Sequence, residues 1–336
     1  MKRRYWVGLA VLAVGTGIYL FNASWRVEPP ADGEIRIIAH RGVHQTYSRE
    51  NLDNDTCTAE RIDTPRHGLL ENTIPSMQAA FASGADIVEL DVHPTTDGQF
   101  AVMHDWTVDC RTDGSGETRA HSMDQLRVLD LGYGYTADNG QTFPFRGRGY
   151  GPMPELKEVL AAIPDGRFLV NFKSREAREG DMLAALLDEH PEWRQAIWGA
   201  YGGDEPTYRA AEGMEGLNVW SRRGLVDCLG QYLALGWTGM VPAACRQTKV
   251  MIPINIAPWL WGWPNLLQQR LADAGSEIIL LGPYGAGDPG TAGIDDIETL
   301  AQLPPGFDGY VWTNRIEDIG PALKGIEPVQ IPPPPQ

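Results

Sequence analysis

The segment spanning residues 87–105 restricts the fold of this chain more than any other, because its sequence is typical of strand, turn and strand. Residues 87–92 are mostly apolar, yet they include Glu89 and Asp91. Side chains two residues apart on a strand share a face, and two carboxylates buried together must be paired or hold a cation. The second strand ends at His104. The alternative is a solvent-facing acidic pair on an edge strand beside a loop histidine.

Other short motifs stand in a fixed order around this segment. His40-Arg41-Gly42 follows an apolar run, and Glu71-Asn72-Thr73 comes before the sequence ELDV, which is followed by TDG and HD. This ordered set resembles the glycerophosphodiester phosphodiesterase family. Residues 153–160 and 307–314 are similar to the family's segment before its fourth strand and to its last strand. The resemblance covers roughly residues 35–323 and implies a TIM barrel.

The predicted elements agree with a (β/α)8 TIM barrel of the α/β class. Strands that alternate with helices indicate a parallel sheet, and a barrel of about 250 residues fits within a chain of 336. Long polar insertions are expected after strands 1 and 3. Nine strands are predicted for eight places, with the extra one expected among residues 196–200, 217–221 and 250–256. The nine are residues 35–39, 87–92, 100–104, 168–173, 196–200, 217–221, 250–256, 278–281 and 309–313.

The N-terminal 26 residues are predicted to be a membrane anchor, with a cleaved signal as the alternative. Lys2, Arg3 and Arg4 precede an uncharged run from residue 5 to residue 21. Basic residues favour the cytoplasmic side, so the catalytic domain is expected outside the cytoplasm, on the periplasmic or extracellular side. Residues 27–33 are predicted to be a linker and residues 34–325 the barrel. Residues 326–336 are predicted to be a solvated, proline-rich tail.

Charge restricts the class of partner. The formal net charge is −16, which argues against nucleic acid, because phosphate backbones require a basic face. An acidic enzyme that acts on an anionic phosphodiester needs a local cation, and the sequence therefore predicts one divalent cation, Ca²⁺ or Mg²⁺. The expected substrate is a small-molecule or lipid-derived phosphodiester.

The resemblance also implies roles for individual residues. It makes His40 and His104 an acid/base pair, with Arg41 and Lys173 as phosphate contacts. Glu89 and Asp91 correspond to metal ligands, and the Glu71-Asn72-Thr73 motif lies close to the metal, with Glu71 as a possible ligand. His93 and Asn72 are expected to support these groups. Asn72 could also cap the following helix.

Asn171 departs from the family pattern. The family's third acidic ligand belongs two residues before Lys173, where this chain has an amide. An amide oxygen can ligate Ca²⁺ or Mg²⁺ but adds no formal charge. Lys173 could instead pair with Glu89 or Asp91 and replace the metal.

Trp259, Trp261 and Trp263 form an aromatic run with a period of two. Core packing is one interpretation of this run, and an apolar substrate wall is the other. His44, His67 and His121 are lone histidines, expected at the surface or beside the site.

Four cysteines allow three pairings, and an oxidising compartment favours disulfides. Cys57 and Cys110 both lie in loops that follow strands, and such loops can meet on one barrel face. Cys228 and Cys245 are close in sequence. The expected pairs are therefore Cys57–Cys110 and Cys228–Cys245.

The predicted function is metal-dependent hydrolysis of glycerophosphodiesters to glycerol phosphate and an alcohol. A phospholipase D-like activity on lysophospholipid or sphingolipid is the alternative among enzymes. The other alternative is a non-catalytic phosphodiester-binding protein, which Asn171 suggests. The presence of both His40 and His104 argues against it, since binding alone needs no acid/base pair.

Overall fold

A ring of eight parallel strands forms the centre of the computed structural model, which describes residues 2–53, 56–148, 153–285 and 292–334. The order around the ring is β6-β5-β4-β2-β1-β9-β8-β7. In the described part of the chain no backbone pairing joins β6 to β7. Side chains bridge the two edges, because Thr248 Oγ1 donates to the carbonyl of Val219 and Trp220 Nε1 donates to Met251 Sδ, each at 3.3 Å. The TIM barrel is therefore nearly closed. Its strands are β1 (Ile35–His40), β2 (Ile87–Pro94), β3 (Phe100–Val102), β4 (Phe168–Phe172), β5 (Ile197–Gly202), β6 (Asn218–Val219), β7 (Lys249–Pro253), β8 (Glu277–Leu281) and β9 (Gly309–Thr313), with β3 outside the ring.

The prediction of where the extra strand lies was wrong. All three suspected segments are barrel strands, and the extra strand is β3, which pairs antiparallel with the end of β2. Its pairing places Val102 opposite Val92 and Phe100 opposite Pro94. The hairpin therefore extends above the barrel and brings the chain back to the edge at which β2 leaves it.

Ten α-helices are described, and most of them cover the outside of the barrel. The helix after Glu71-Asn72-Thr73 is capped by the hydroxyl of Thr73, which accepts from Ser76 N, so the assignment of Asn72 as the cap was wrong. No sequence pattern predicted α6, α9 or α10. The helices are α1 (Lys2–Phe21), α2 (Ile74–Ala82), α3 (Met123–Arg127), α4 (Leu156–Ala162), α5 (Arg178–Glu189), α6 (Asp204–Gly213), α7 (Arg222–Leu235), α8 (Asn265–Asp273), α9 (Ile297–Leu300) and α10 (Ile316–Lys324).

The barrel interior is filled by large side chains. Trp198 packs edge-to-face on Trp220, and Trp312 lies near Tyr201 in the same interior. Two further apolar clusters fill the space between the strands and the surrounding helices. The interior is thus a packed core, and chemistry is confined to its rim.

Both predicted disulfides are present. Cys57 is bonded to Cys110 across a sequence separation of 53 residues, and Cys228 to Cys245 across 17. The first bond ties the insertion after β1 to the insertion after β3. The second ties α7 to the segment before β7.

The segments at the two ends of the barrel pack more closely than the sequence predicted. Asn22 donates to the carbonyl of Trp237 at 2.8 Å, and Asn265 donates to Ser24 Oγ and to the carbonyl of Val27. Two residues of the predicted solvated C-terminal tail contact the domain, although Pro332 is itself exposed. Ile331 packs against the apolar core, and the carbonyl of Pro332 accepts from the amide of Gly68.

The insertion after β1 contains a buried histidine that makes stability depend on pH. His67 is buried, and its Nδ1 accepts a hydrogen bond from the amide of Leu69 at 3.2 Å, which requires that nitrogen to be unprotonated. Burial, with a smaller effect from His44, lowers the pKa of His67 to about 4. Because the pKa of His67 is lower in the folded protein than in the unfolded chain, the neutral ring stabilises the fold. This stabilisation is complete above about pH 6.5.

We expect this stabilisation, at most roughly 3 kcal/mol, to be lost as the pH falls from about 6.5 towards 4. Urea unfolding at pH 7, 5.5 and 4.5 measures it. The free energy of unfolding of His67→Asn should fall less steeply than that of the wild type over this interval. The partly exposed His190 supplies a matched control in which a histidine outside this insertion is replaced, His190→Asn. Equal slopes for all three proteins would show that His67 titrates normally.

Candidate active site

Strand register brings the acidic and polar side chains together at the C-terminal edge of the barrel. His40 is paired in register with Glu89, and Asp91 with Asn171, which is in turn paired with Tyr201. Four neighbouring strands therefore place these five residues in two successive rows, His40 with Glu89 and then Asp91 with Asn171 and Tyr201. This edge of a TIM barrel is where catalytic residues are found.

The two carboxylates of β2 are fully buried but differ in their partners. Asp91 accepts from Asn171 Nδ2 at 2.8 Å and from Asn72 Nδ2 at 2.9 Å. Although burial alone would raise the pKa of Asp91, Lys173 and Arg41 lower it below its usual value. Asp91 is thus held ionised.

Glu89 has fewer charged partners. It accepts from Tyr201 Oη at 2.7 Å and from the backbone amide of Arg41 at 3.2 Å, and His40 Nε2 lies 3.9 Å away. Burial and the neighbouring charge of Asp91 raise the pKa of Glu89 to about 8. A cation placed beside it would favour its ionised form.

A tight turn after β1 directs Arg41 towards Asp91. Arg41 has a left-handed backbone with φ of 59°, and Gly42 follows with φ of 78°. A side chain at Gly42 would collide with Ser76 of α2, which explains the glycine in the His40-Arg41-Gly42 motif. The guanidinium of Arg41 reaches Asp91 Oδ2 at 3.2 Å and Glu71 Oε1 at 3.0 Å.

His40 is buried with its two ring nitrogens in different surroundings. Nδ1 lies 2.6 Å from Asn314 Oδ1, an acceptor, so the neutral ring carries its proton on Nδ1. Nε2 then lacks a proton and lies on the side of Glu89. Burial, followed by the charge of Arg41, holds the pKa of His40 well below its ordinary value.

His104 reaches the same edge through the hairpin rather than through a barrel strand. The expectation that it ends a parallel strand was therefore wrong, although its position at the rim was right. Its Nδ1 lies 2.7 Å from Asp105 Oδ1. Burial, followed by the charges of Arg41 and Lys173, lowers the pKa of His104, while Asp105 opposes this change.

Arg111 contacts two buried carboxylates, Asp105 beside His104 and Glu71 beside Arg41, and sequence reasoning missed it. This fully buried guanidinium donates to Asp105 Oδ2 at 2.7 Å, and its Nη1 lies 3.1 Å from Glu71 Oε2. It also donates to Thr58 Oγ1 at 2.6 Å. One side chain thus orients Asp105 behind His104 and Glu71 behind Arg41. Its position directly after Cys110 was the only available signal.

Glu71 and Asn72 occupy the supporting positions of this network. Both carboxylate oxygens of Glu71 lie within 3.1 Å of guanidinium nitrogens, one on Arg41 and one on Arg111. Burial opposes but does not prevent a lowered pKa of Glu71. Asn72 is bound to Asp91 in both directions, because its Oδ1 also accepts from Asp91 N at 3.1 Å. The structure therefore gives Glu71 the role of orienting Arg41.

The lone histidines divide by burial. His93 is buried, its Nε2 lies 3.4 Å from the carbonyl of His104, and burial lowers its pKa to about 4. His44 and His67 are also buried, whereas His121 is partly exposed. His93 is thus placed to support the backbone at His104.

A cavity of about 540 Å³ opens in front of the two catalytic candidates. Lys173, with a side chain 22% exposed and 3.4 Å from Asp91 Oδ1, faces this cavity. The predicted substrate wall does not contribute, because Trp259, Trp261 and Trp263 are absent from the lining of the cavity. The apolar side is formed instead by Trp220, Leu225, Val226, Leu229, Met251, Ile256, Leu281 and Trp312.

A divalent cation at this edge of the barrel would need several oxygen ligands that face one another. No group of three or more His, Cys, Asp or Glu side chains suited to a metal occurs among the described residues. The donors that face one another are Glu89, Asp91 and the amide of Asn171, and Glu89 is a buried carboxylate without a close cationic partner. Two carboxylates and an amide oxygen are ligands that Ca²⁺ and Mg²⁺ accept. The residues present fit such an ion.

The Cys57–Cys110 disulfide is expected to support activity, because Thr58 and Arg111, which directly follow the two cysteines, hydrogen-bond to each other. We expect the Cys57→Ser/Cys110→Ser variant to lose more turnover than Cys228→Ser/Cys245→Ser, the matched control on the other side of the barrel. Each loss of a disulfide should lower the free energy of unfolding by about 2–5 kcal/mol. Steady-state kinetics well below the unfolding temperature of each variant makes the comparison. Equal turnover in both double variants would show that Arg111 keeps its place without the bond.

The chain is similar in sequence to known glycerophosphodiester phosphodiesterases. Residues 40–185 match the sequence model of the glycerophosphoryl diester phosphodiesterase family. A glycerophosphodiester phosphodiesterase of Caldanaerobacter subterraneus is 36% identical over 119 residues, which cover 35% of this chain and 44% of that protein. The mouse glycerophosphodiester phosphodiesterase 1 is 44% identical over 121 residues, covering 36% and 34%. The match thus spans less than half the length of these relatives.

Solved structures share the fold. A glycerophosphodiester phosphodiesterase from Agrobacterium tumefaciens superposes with a TM-score of 0.55 at 20% identity, covering 87% of this chain and all of that one. A phosphodiesterase from Oleispira antarctica, solved with its product sn-glycerol-3-phosphate, has a TM-score of 0.51 at 17% identity, covering 83% and 92%. At this level of identity the likeness establishes the barrel.

Proposed function

Because the chain belongs to the glycerophosphodiester phosphodiesterase family, we propose that it hydrolyses glycerophosphodiesters to glycerol phosphate and an alcohol. The observation that carries this proposal is the lining of one cavity by His40, His104, Arg41 and Lys173. Cleavage of a phosphodiester needs a base, an acid for the leaving alkoxide and positive charge at the phosphoryl oxygens. This cavity contains candidates for all three.

The two histidines differ in a way that suits two roles. Asn314 holds the proton of neutral His40 on Nδ1, which leaves Nε2 free to act as the base. Asp105 lies against Nδ1 of His104 and favours its protonated form, which suits the acid. A bound phosphodiester anion would offset the charges of Arg41 and Lys173, the neighbours that now disfavour that protonated form.

Lys173 is the cation best placed to meet the substrate. Arg41 is 4% exposed and already paired with Asp91 and Glu71, so its contribution is a fixed positive charge at the base of the cavity. Lys173 is the more exposed of the two. Arg222 also lines the cavity at the start of α7.

Glu89, Asp91 and the amide oxygen of Asn171 would hold one divalent cation, Ca²⁺ or Mg²⁺. Such an ion supplies a Lewis acid that stabilises charge on a phosphoryl oxygen. It would also leave Lys173 free of its pairing with Asp91. Glu71, whose oxygens both lie on arginines, orients Arg41 and would not be needed as a ligand.

We further propose that α1 anchors the domain to a membrane, with the domain outside the cytoplasm. The 18 residues from Arg4 to Phe21 are apolar enough to span a bilayer and are not covered by the rest of the protein. Residues 22–27 are bound to the domain by hydrogen bonds rather than hanging free. Two disulfides fit an oxidising compartment.

Release of choline from glycerophosphocholine tests the activity directly. The full-length protein, stripped with a chelator and then supplied with Ca²⁺ or Mg²⁺, should form glycerol phosphate and choline in equal amounts. Substrates with other head groups, with and without one acyl chain, separate the glycerophosphodiesterase from the phospholipase D-like alternative, which the apolar side of the cavity favours. Saturable binding of substrate without any turnover would assign the chain to the class of binding proteins.

A further inference from the structure

Helix α7 carries an apolar stripe that the proposed catalysis does not use. Val226, Leu229 and Leu233 are spaced three and four residues apart, so they share one face of the helix, and Trp237 follows just beyond its end. Val226 is 63% exposed, Leu233 43% and Trp237 42%. Leu229, between Val226 and Leu233, is partly buried against the core. Several exposed apolar side chains along one helix face indicate a surface that meets an apolar partner.

The stripe begins at the cavity that contains the two histidines. Val226 and Leu229 line the cavity, together with Arg222 at the start of the same helix. From Val226 to Trp237 the stripe extends about 16 Å, at 1.5 Å per residue. One end of the stripe is therefore the mouth of the site.

The other end of the stripe is the place where the apolar N-terminal helix joins the domain. Asn22, directly after α1, donates to the carbonyl of Trp237 and accepts from Arg270 Nη1 at 2.9 Å. Asn22 is itself 7% exposed, so the junction is packed. If α1 spans a bilayer, Trp237 must lie close to the membrane surface, because no free linker separates them.

Exposed aromatic side chains surround the same junction. Trp25 is 63% exposed and Trp259 76% exposed, and Met240 is 54% exposed. Trp259 lies two residues before Trp261, whose indole N–H donates to the carbonyl of Leu233. Tryptophan is enriched where proteins meet the membrane–water interface.

We propose that the α7 stripe lies on the surface of the lipid bilayer, so that the active-site cavity opens towards phosphodiester lipids in that membrane. A lipid bilayer is the expected partner because the stripe extends from the proposed membrane helix to the cavity. Apolar contact rather than charge would carry the docking, since the chain has a net charge of −16. The choice of a lipid substrate rests on the proposed activity, whereas the docking rests on the proposed membrane anchor and not on that activity.

The position of the stripe can be measured without any assay of activity. The full-length protein carrying Leu233→Cys, labelled with an environment-sensitive fluorophore, is reconstituted into phosphatidylcholine vesicles that contain a spin-labelled lipid. The label should be strongly quenched. The matched control is Val128→Cys, because Val128 is 79% exposed and follows the β2–β3 hairpin, on the opposite side of the barrel from α7. This label should remain unquenched.

Kinetics provides the second measurement. Leu233→Asp and Trp237→Ser should each lower turnover of lysophosphatidylcholine in vesicles by about tenfold or more. Both should leave turnover of soluble glycerophosphocholine unchanged, as should Val128→Asp with either substrate.

The outcomes separate docking from chemistry. Quenching at residue 233 with no turnover of any phosphodiester would uphold the docking and refute the proposed function. Absence of quenching at residue 233 in a protein that hydrolyses glycerophosphocholine would overturn the docking alone. Crosslinking between two labelled copies at residue 233, without lipid quenching, would assign the stripe to a second copy of this chain and would equally overturn it.

Discussion

Replacing His40 or His104 by alanine should lower turnover of glycerophosphocholine by about 10²–10⁴-fold, because each variant removes one partner in proton transfer. His40 presents Nε2 on the side of Glu89, and His104 lines the cavity with Asp105 behind it. Both imidazoles lie at the polar rim of the barrel, with Nδ1 close to Asn314 in His40 and to Asp105 in His104, so the fold should persist. Steady-state kinetics, with circular dichroism as the check on folding, gives the result.

His190→Ala supplies the control for this experiment. His190 is partly exposed at the end of α5 and packs on Trp193, away from the cavity. Its loss should leave turnover unchanged. Turnover near that of the wild type in either His40→Ala or His104→Ala would remove that residue from the mechanism.

A difference between the two histidines is also expected in the pH dependence of turnover. Asp105→Asn should lower the pKa of His104, the proposed acid, more than that of His40, the proposed base. The reason is that the substitution removes the carboxylate that stabilises protonated His104. The limb of the pH profile at high pH should therefore move to lower pH. A shift confined to the low-pH limb would reverse the two roles.

Removal of divalent cations should abolish nearly all activity, and Asn171 should make that removal easy. Glu89 and Asp91 share a buried strand face, and without a metal the pKa of Glu89 is raised to about 8. An amide in place of a third carboxylate contributes no charge, so the ion should be held weakly and lost to a mild chelator. Added Ca²⁺ or Mg²⁺ should restore turnover.

Asn171→Glu tests the cause of this weakness. Its added carboxylate should tighten metal binding, on the order of tenfold, if it reaches the ion. Without metal it should destabilise the protein, because Asn171 now donates to Asp91 and a carboxylate would repel it. Asn171→Ala, which offers no ligand, should bind metal more weakly than the wild type. The metal-induced shift in the unfolding temperature and the metal titration of turnover measure both effects.

Lys173 could take the role of the metal ion in this mechanism, and one result would show it. Lys173 Nζ lies 3.4 Å from Asp91 Oδ1 and already offsets part of its charge. Full activity in the metal-free wild type, with no response to either cation, would show that Lys173 serves in place of the ion. Lys173→Met should then abolish turnover in a way that added metal does not rescue.

The family, the barrel and the strand-end positions of its main polar residues followed from local sequence patterns. The β2 carboxylates could be placed on one face because side chains alternate along a strand. Thr73, not Asn72, caps α2, and this error came from two adjacent residues that are both good caps. Such choices depend on backbone angles, and Asn72 has a left-handed φ of 56° that no pattern indicated.

Contacts between distant segments could not be predicted from local sequence patterns. Arg111 meets Glu71 across 40 positions of the sequence and Thr58 across 53, and neither neighbour is specified by the residues around it. The substrate wall is another case. Trp259 is exposed while Trp220 and Trp312, from different strands, line the cavity.

Local sequence is enough to predict which chemical groups reach the rim of the barrel, because alternation along a strand and the residues at its end are local properties. Contacts between distant segments, in contrast, set the position of β3 outside the ring, the link through Arg111 between the supports of His104 and Arg41, and the junction of Trp237 with the segment that follows α1. Each of these depends on which strands pair and how the barrel closes. Closure is a property of all eight strands together, and no single segment encodes it.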